Sequence, residues 1–210
     1  MNPSLRMDRP RLAAILTALR VEYLAVRAHL TAIVEIVHVS GTVYERGSLA
    51  LEGEAWDVVL AEVGTGNPEA GIHAERIIAE FRPSVVFFVG VAGGLKDVAL
   101  GDVVVATKVY AYESGKQGAT FELRPLVANS SHAVEQRARA EARKDDWRTA
   151  IMGARTDPPP RVFVGAIAAG EKVVAGNRSE LVNFLRTNYG DALAVAMEDY
   201  GILRAANIRG

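Results

Sequence analysis

The sequence predicts an α/β domain built on a largely parallel or mixed central sheet. Strand-length apolar runs alternate with stretches of helical periodicity, as in βαβ units. Trp56 to Val63 is a near-continuous apolar run, the pattern of a strand covered on both faces. Two runs end in glycine-rich turns, Gly64-Thr-Gly66-Asn67 and Gly90-Val-Ala-Gly93-Gly94.

Taken in order, Leu12 to Ala18 reads as a strand. The mildly basic stretch before it loosely mimics a secretion signal. The apolar run is short, however, Arg20 and Glu22 follow at once, and no small-residue cleavage site is evident, so a buried strand is the better reading. Val21 to Leu30 reads as a helix with Val21, Leu24, Ala25 and Ala28 on its apolar face. Val34–Val39 and Thr42–Leu51 form a hairpin pair, with Arg46-Gly47 at a turn or bulge. After the Trp56–Val63 strand, Asn67 can cap a helix, Pro68 suits its first position and Glu69 complements its dipole. Ala70, Ala74, Ile77, Ile78 and Phe81 repeat at helical spacing, and Arg82-Pro83 stops the helix. Val85–Val89 reads as a buried strand and Asp102–Tyr112 as a long valine-rich one. The segment near 113–160 reads as a variable insertion: a loop, one polar helix from about Ser131 to Arg148, and the Pro158-Pro-Pro160 linker. Strand Val162–Ala169, a helix near Ser179–Asn188, strand Ala192–Ala196 and a last helix from about Met197 complete the chain. No repeat of fixed period is present.

Composition narrows the function. The 210 residues make one domain, 1–210. With 24 Lys+Arg against 25 Asp+Glu, the net charge of -1 gives no general pull toward nucleic acid or anionic membrane. No stretch approaches the ~18 apolar residues that a membrane helix needs. Zero cysteine removes disulfides, thiol catalysis and cysteine zinc sites, and is compatible with a reducing cytoplasm. His29, His38, His73 and His132 form no ligand motif, so no metal is expected. The charges from Glu135 to Arg148 nearly balance and lack interleaved aromatics, as on a solvated helix face.

The two glycine loops are expected on adjacent strands. Each has two readings: a tight turn that needs glycine, or a place where a ligand approaches the backbone. Gly64 and Gly66 begin a dinucleotide fingerprint, but Glu69 stands at its third glycine, and no Gly-Lys-Ser/Thr follows either loop. No Gly-x-Ser-x-Gly elbow occurs. Glu22 and Glu198 each follow a strand and open a helix. Singly, each reads as a solvated residue favoured at a helix N-terminus; together they lie near the level of the glycine loops.

These residues carry a resemblance. Thr17-Ala-Leu-Arg-Val-Glu22, Val63-Gly-Thr-Gly66-Asn67, Arg82-Pro83 through Phe88-Val-Gly90-Val-Ala-Gly-Gly-Leu95, Gly101-Asp-Val-Val-Val105, Gly165-Ala-Ile-Ala-Ala-Gly170 and Ala194-Val-Ala-Met-Glu198 together resemble the nucleoside phosphorylase/nucleosidase superfamily. They look most like its methylthioadenosine/S-adenosylhomocysteine nucleosidases and the related modules of bacterial signalling or defence proteins. The resemblance implies a three-layer α/β/α fold around a mixed, partly barrel-like sheet. It implies hydrolysis of a purine nucleoside's N-glycosidic bond with no cofactor, in a cytoplasmic homo-oligomer, a dimer. Glu22 matches the glutamate that positions or activates water, and Glu198 the one that holds the ribose hydroxyls. Met197 matches the methionine packed on the sugar. Gly64, Thr65, Gly66, Val91, Ala92 and Gly93 fall on substrate-binding loops, Val173 and Val174 on the base pocket.

Three departures bear on activity. Val91 stands where a serine is common, which favours hydrolysis, while Arg20 keeps a phosphate-dependent phosphorylase open. Val195-Ala-Met-Glu-Asp199 replaces the usual Val-Glu-Met-Glu-Gly. The chain ends at Gly210, whereas the family continues with a strand and a Ser-Asp motif whose aspartate protonates the leaving base. The expectation is therefore a domain with weakened or no catalysis and exposed apolar surface; a non-catalytic nucleoside-binding module is the alternative.

Overall fold

The computed structural model describes residues 11–51, 54–118, 121–144, 146–149, 151, 157–172 and 180–209. Among the described residues, twelve strands and six helices run in the order β1 (Leu12–Thr17), α1 (Arg20–Arg27), β2 (Thr31–Val37), β3 (Val43–Leu51), β4 (Glu54–Glu62), α2 (Asn67–Phe81), β5 (Val85–Phe88), β6 (Gly93–Gly94), β7 (Val103–Ala111), β8 (Gly115–Gln117), β9 (Phe121–Leu123), β10 (Leu126–Asn129), α3 (His132–Ala142), α4 (Asp146–Thr149), β11 (Val162–Ala169), α5 (Glu180–Asn188), β12 (Ala192–Ala196) and α6 (Asp199–Arg209). Two five-stranded sheets are ordered β2-β3-β4-β1-β5 and β10-β7-β11-β12-β6, with a separate β8-β9 ribbon. In the first sheet β1 runs parallel to β4 and β5; in the second β11 runs parallel to β7 and β12. The hairpin strands and β10 are antiparallel, so both sheets are mixed.

Strand alternation builds the layers. Leu12, Ala14 and Leu16 of β1, with Val59 and Ala61 of β4, face Ala70, Ala74 and Ile77 of α2 and Ile202 and Ala205 of α6. The intervening Ala13, Val58 and Leu60 face Leu30, Tyr23 and Val26 beside α1. Every residue of Val58–Ala61 is therefore buried, as its unbroken apolar run requires. The second sheet repeats the logic. Ala168 and Val195 face Val182 and Leu185 of α5, while Ile167, Ala169, Ala194 and Ala196 turn toward Tyr200 and Leu203 of α6. Helix α6 thus serves both sheets.

Several expectations need correction. The predicted apolar face of α1 is outside: Val21 is 67% exposed, Leu24 47%, and Ala25 and Ala28 are exposed too. The helix is turned instead to bury Glu22, with Tyr23 and Val26 inward. The hairpin irregularity lies on β2, where the register slips between Thr31 and Val34, and not on Arg46-Gly47. Gly47 faces that slip, with Leu30 and the Thr31 carbonyl 3.1 Å from where a Cβ would stand. Asn67 is not the cap of α2; Gly66 holds that position. β5 is an edge strand with Phe87 40% exposed. The single polar helix near 131–148 is two, α3 and α4, with Ser131 capping the first through the Val134 amide. The 113–160 segment also holds strands β8, β9 and β10, and β10 extends the second sheet. No helix among the described residues is long and apolar enough to cross a membrane.

Candidate active site at the seam of the two sheets

The two glycine loops are not on adjacent strands: β1 lies between β4 and β5. The chain leaving β1 therefore delivers Glu22 between them. Only Ala18 and Leu19 separate β1 from α1. Their amides both donate to Glu22 Oε2 at 2.9 Å, and the Val91 amide donates to Oε1 at 2.8 Å. Glu22 is 8% exposed. Gly90 permits this approach, since a Cβ there would stand 3.2 Å from Glu22 Oε1 and 3.0 Å from the Phe88 ring.

The chain then crosses between sheets. Gly93 and Gly94 form β6 and pair with Val195 and Ala194 of β12. This stitches the second loop to the strand that ends in Met197 and Glu198. Glu198 is 6% exposed; its Oε1 accepts from the Gly66 amide at 3.1 Å and its Oε2 from the Met197 amide at 3.3 Å. So the second loop holds Glu22, and the first holds Glu198. Gly66 has φ +101°, which glycine adopts without strain and which turns its N–H to the carboxylate.

Burial pushes the Glu198 carboxyl above the usual range, the Gly66 and Met197 amides pull it down, and the charges of Glu22 and Glu171 push it up. Its neighbour Asp199 is raised from 3.8 to about 7, by burial first and then by the charge of Glu198. Asp199 Oδ2 is closed from solvent and has no hydrogen-bond partner.

Other expected residues fall as follows. Gly64 and Thr65 lie exposed on the first loop; Val91, Ala92 and Gly93 are exposed along the second. Met197 is half-buried between β12 and Glu198. Val173 and Val174 lie outside the described residues. Sequence reasoning missed Glu171, which follows the end of β11 by two residues, as Glu198 follows the end of β12. Its Oε1 accepts from the Asn67 amide at 3.2 Å and from Asn67 Nδ2 at 2.9 Å. The carboxyl-end criterion that singled out the other two glutamates applies equally to it.

The chain is similar to proteins of known activity. The chain is 25% identical over 176 residues to the ATP nucleosidase Cap17 of Escherichia coli (strain KTE188), covering 76% of this chain and 35% of that protein. It is 25% identical over 142 residues to the 5'-methylthioadenosine/S-adenosylhomocysteine nucleosidase of Haemophilus ducreyi, covering 67% and 57%. The chain thus spans about a third of the first relative's length and somewhat over half of the second's. The solved methylthioadenosine/S-adenosylhomocysteine nucleosidase of Neisseria meningitidis, in complex with methylthio-immucillin-A, superposes with a TM-score of 0.73 at 25% identity, over 95% of this chain and 80% of that one. The architecture is the phosphorylase/nucleosidase fold. Residues 13–210 match the sequence profile of the Phosphorylase superfamily, and the chain belongs to that family.

Proposed function

We propose that this chain hydrolyses the N-glycosidic bond of a purine nucleoside, in the manner of the methylthioadenosine/S-adenosylhomocysteine nucleosidases. The observation that carries the reading is the number of acceptor positions left on the two buried glutamates. An ionised carboxylate offers about four lone-pair sites. Glu22 spends three on the Ala18, Leu19 and Val91 amides, leaving about one, enough for a water. Glu198 spends two on Gly66 and Met197, leaving about two, which suits the vicinal hydroxyls of a ribose.

The chemistry follows from that division. Glu198 accepts from the ribose hydroxyls and fixes the sugar. Glu22 orients a water toward C1' and takes its proton as the C1'–N9 bond breaks. The bonding pair leaves with the base, which takes a proton from solvent while Glu22 returns the water's proton to solvent, and the water oxygen becomes the new C1' hydroxyl. The sugar passes through an oxocarbenium-like state, which two nearby carboxylates stabilise. Gly66, Gly93 and the Ala92 backbone let the ligand approach closely, and Met197 packs on the sugar.

A second reading is a nucleoside-binding module without turnover. Asp199 favours it, because it adds a buried acid beside Glu198. We extend the main reading to a cytoplasmic homo-oligomer on family kinship alone; light scattering tests the oligomer. The function is tested by incubating the protein with adenosine, methylthioadenosine, S-adenosylhomocysteine, inosine and ATP, with and without phosphate, and resolving free base by chromatography. Phosphate-independent release is expected. Strictly phosphate-dependent release makes it a phosphorylase and refutes the role of Glu22. Binding without release supports the second reading.

A further inference from the structure

We infer that Glu171 is a positioning residue of this site: it anchors Asn67 and so fixes the Gly66 amide against Glu198. The inference rests on the proposed function only for its ligand; the geometry stands by itself.

Glu171 is held at its backbone from two sides. The Gly170 amide donates to the Ala196 carbonyl of β12 at 3.2 Å, and the Glu171 amide donates to Glu113 Oε2 at 2.6 Å. Gly170 lies against the Tyr112 ring, which a Cβ would meet at 2.3 Å. The end of β11 is therefore pinned two residues before Glu198. From there one carboxylate oxygen takes both Asn67 donors, and the other lies 2.8 Å from where a Cβ of Gly66 would stand. Asn67 Oδ1 in turn accepts from the Gly201 amide at 3.0 Å, tying α2 to the first turn of α6. Gly201 has no room for a side chain, since its Cβ would fall 2.0 Å from the Asn67 carbonyl. One carboxylate thus fixes the Gly66–Asn67 peptide, next to the Thr65–Gly66 peptide whose N–H reaches Glu198, and through Asn67 the helix that follows Glu198. Glutamate suits this better than a neutral side chain, because a charged acceptor holds two N–H donors more strongly.

The test separates position from charge. Glu198 is faced by Glu22 of α1, by Glu171 beyond β11, by Asp199 on α6, and by the Gly66 and Met197 amides. Glu171→Gln keeps an acceptor for Asn67 and removes the charge. Glu171→Ala removes both, and Asn67→Ala removes the side-chain half of the anchor together with the Gly201 contact, leaving the backbone amide on Glu171. The first readout is the carboxyl 13C titration of Glu198 in the ligand-free protein, assigned by its loss in Glu198→Gln. Glu171→Gln lowers the Glu198 midpoint; Glu171→Ala leaves it higher than Glu171→Gln does, because the Gly66 amide is released. The second readout is the Kd of formycin A, a C-nucleoside that cannot be hydrolysed, and of its 2',3'-dideoxy form. Glu171→Ala and Asn67→Ala weaken formycin A about tenfold and leave the dideoxy form within about twofold, whereas Glu171→Gln retains most of the affinity. Equal Glu198 titrations in Glu171→Gln and Glu171→Ala, or equal losses for both ligands, overturn the inference. A wild-type protein that binds no formycin A defeats the proposed function, while the titration still decides the role of Glu171.

Discussion

Replacing Asp199 with asparagine stabilises the protein, and only above mildly acid pH. The Asp199 carboxyl sits beside Glu198 with Oδ2 shut away from solvent and unpartnered, and it titrates near 7 instead of 3.8. A carboxyl whose folded value is raised holds its proton longer folded than unfolded. The folded state therefore loses stability as pH rises from about 4 to about 7, and the loss is complete above that. At about 1.4 kcal/mol per tenfold, the full difference corresponds to about 4 kcal/mol. The residue retains some solvent contact, so about 2–4 kcal/mol is the working figure. Asparagine is neutral throughout and similar in shape, so it removes the penalty without opening a cavity. In a chain of this length that gain raises Tm by about 4–16 °C. The assay is urea or thermal unfolding of both proteins from pH 4 to pH 8. The two curves should meet near pH 4 and separate steadily to pH 7.5. A gap independent of pH, or an asparagine variant no more stable at pH 7.5, refutes the argument that Asp199 is buried against its charge.

Other outcomes follow from the same geometry. Gly66→Ala forces a side chain onto φ +101° and against Glu171, costing about 1–3 kcal/mol, and tilts the Gly66 amide from Glu198; melting and base release should both fall. Glu198→Gln turns one acceptor into a donor facing an amide donor, and the loss of about 1.5–3 kcal/mol lowers kcat/KM about tenfold to a hundredfold, read in a base-release assay. Ile77→Ala, at a side chain fully buried between α2 and the first sheet, costs about 2–5 kcal/mol in denaturant titration while KM stays unchanged, since Ile77 belongs to an apolar cluster that includes neither glutamate.

The parts of this molecule legible in sequence were those with a local cause. Val162–Ala169 and Ala192–Ala196 are found at their expected bounds because apolar runs of that length, closed by Gly170 and by polar residues, have few other solutions. Glu22 and Glu198 were legible because both sit where strands end. What was not legible depended on distant partners. The exposed face of α1 has more apolar residues than the buried one, and the rotation that buries Glu22 depends in part on the Val91 amide, donated from a loop 69 residues away. Asn67 has the composition of a cap, but Glu171 and Gly201 claim its side chain from 104 and 134 residues away. Strands β8 to β10 are short, and β10 exists by virtue of pairing with β7. Their periodicity alone is too brief to tell from loop.

In the proposed reaction the two glycine loops present Glu22 and Glu198 to one nucleoside. A crystal structure of the protein with formycin A decides the point. The ribose hydroxyls are predicted within about 3 Å of Glu198, with the C1' face toward Glu22 and an ordered water between them. A ligand seated elsewhere, or one that reaches one glutamate and not the other, contradicts it.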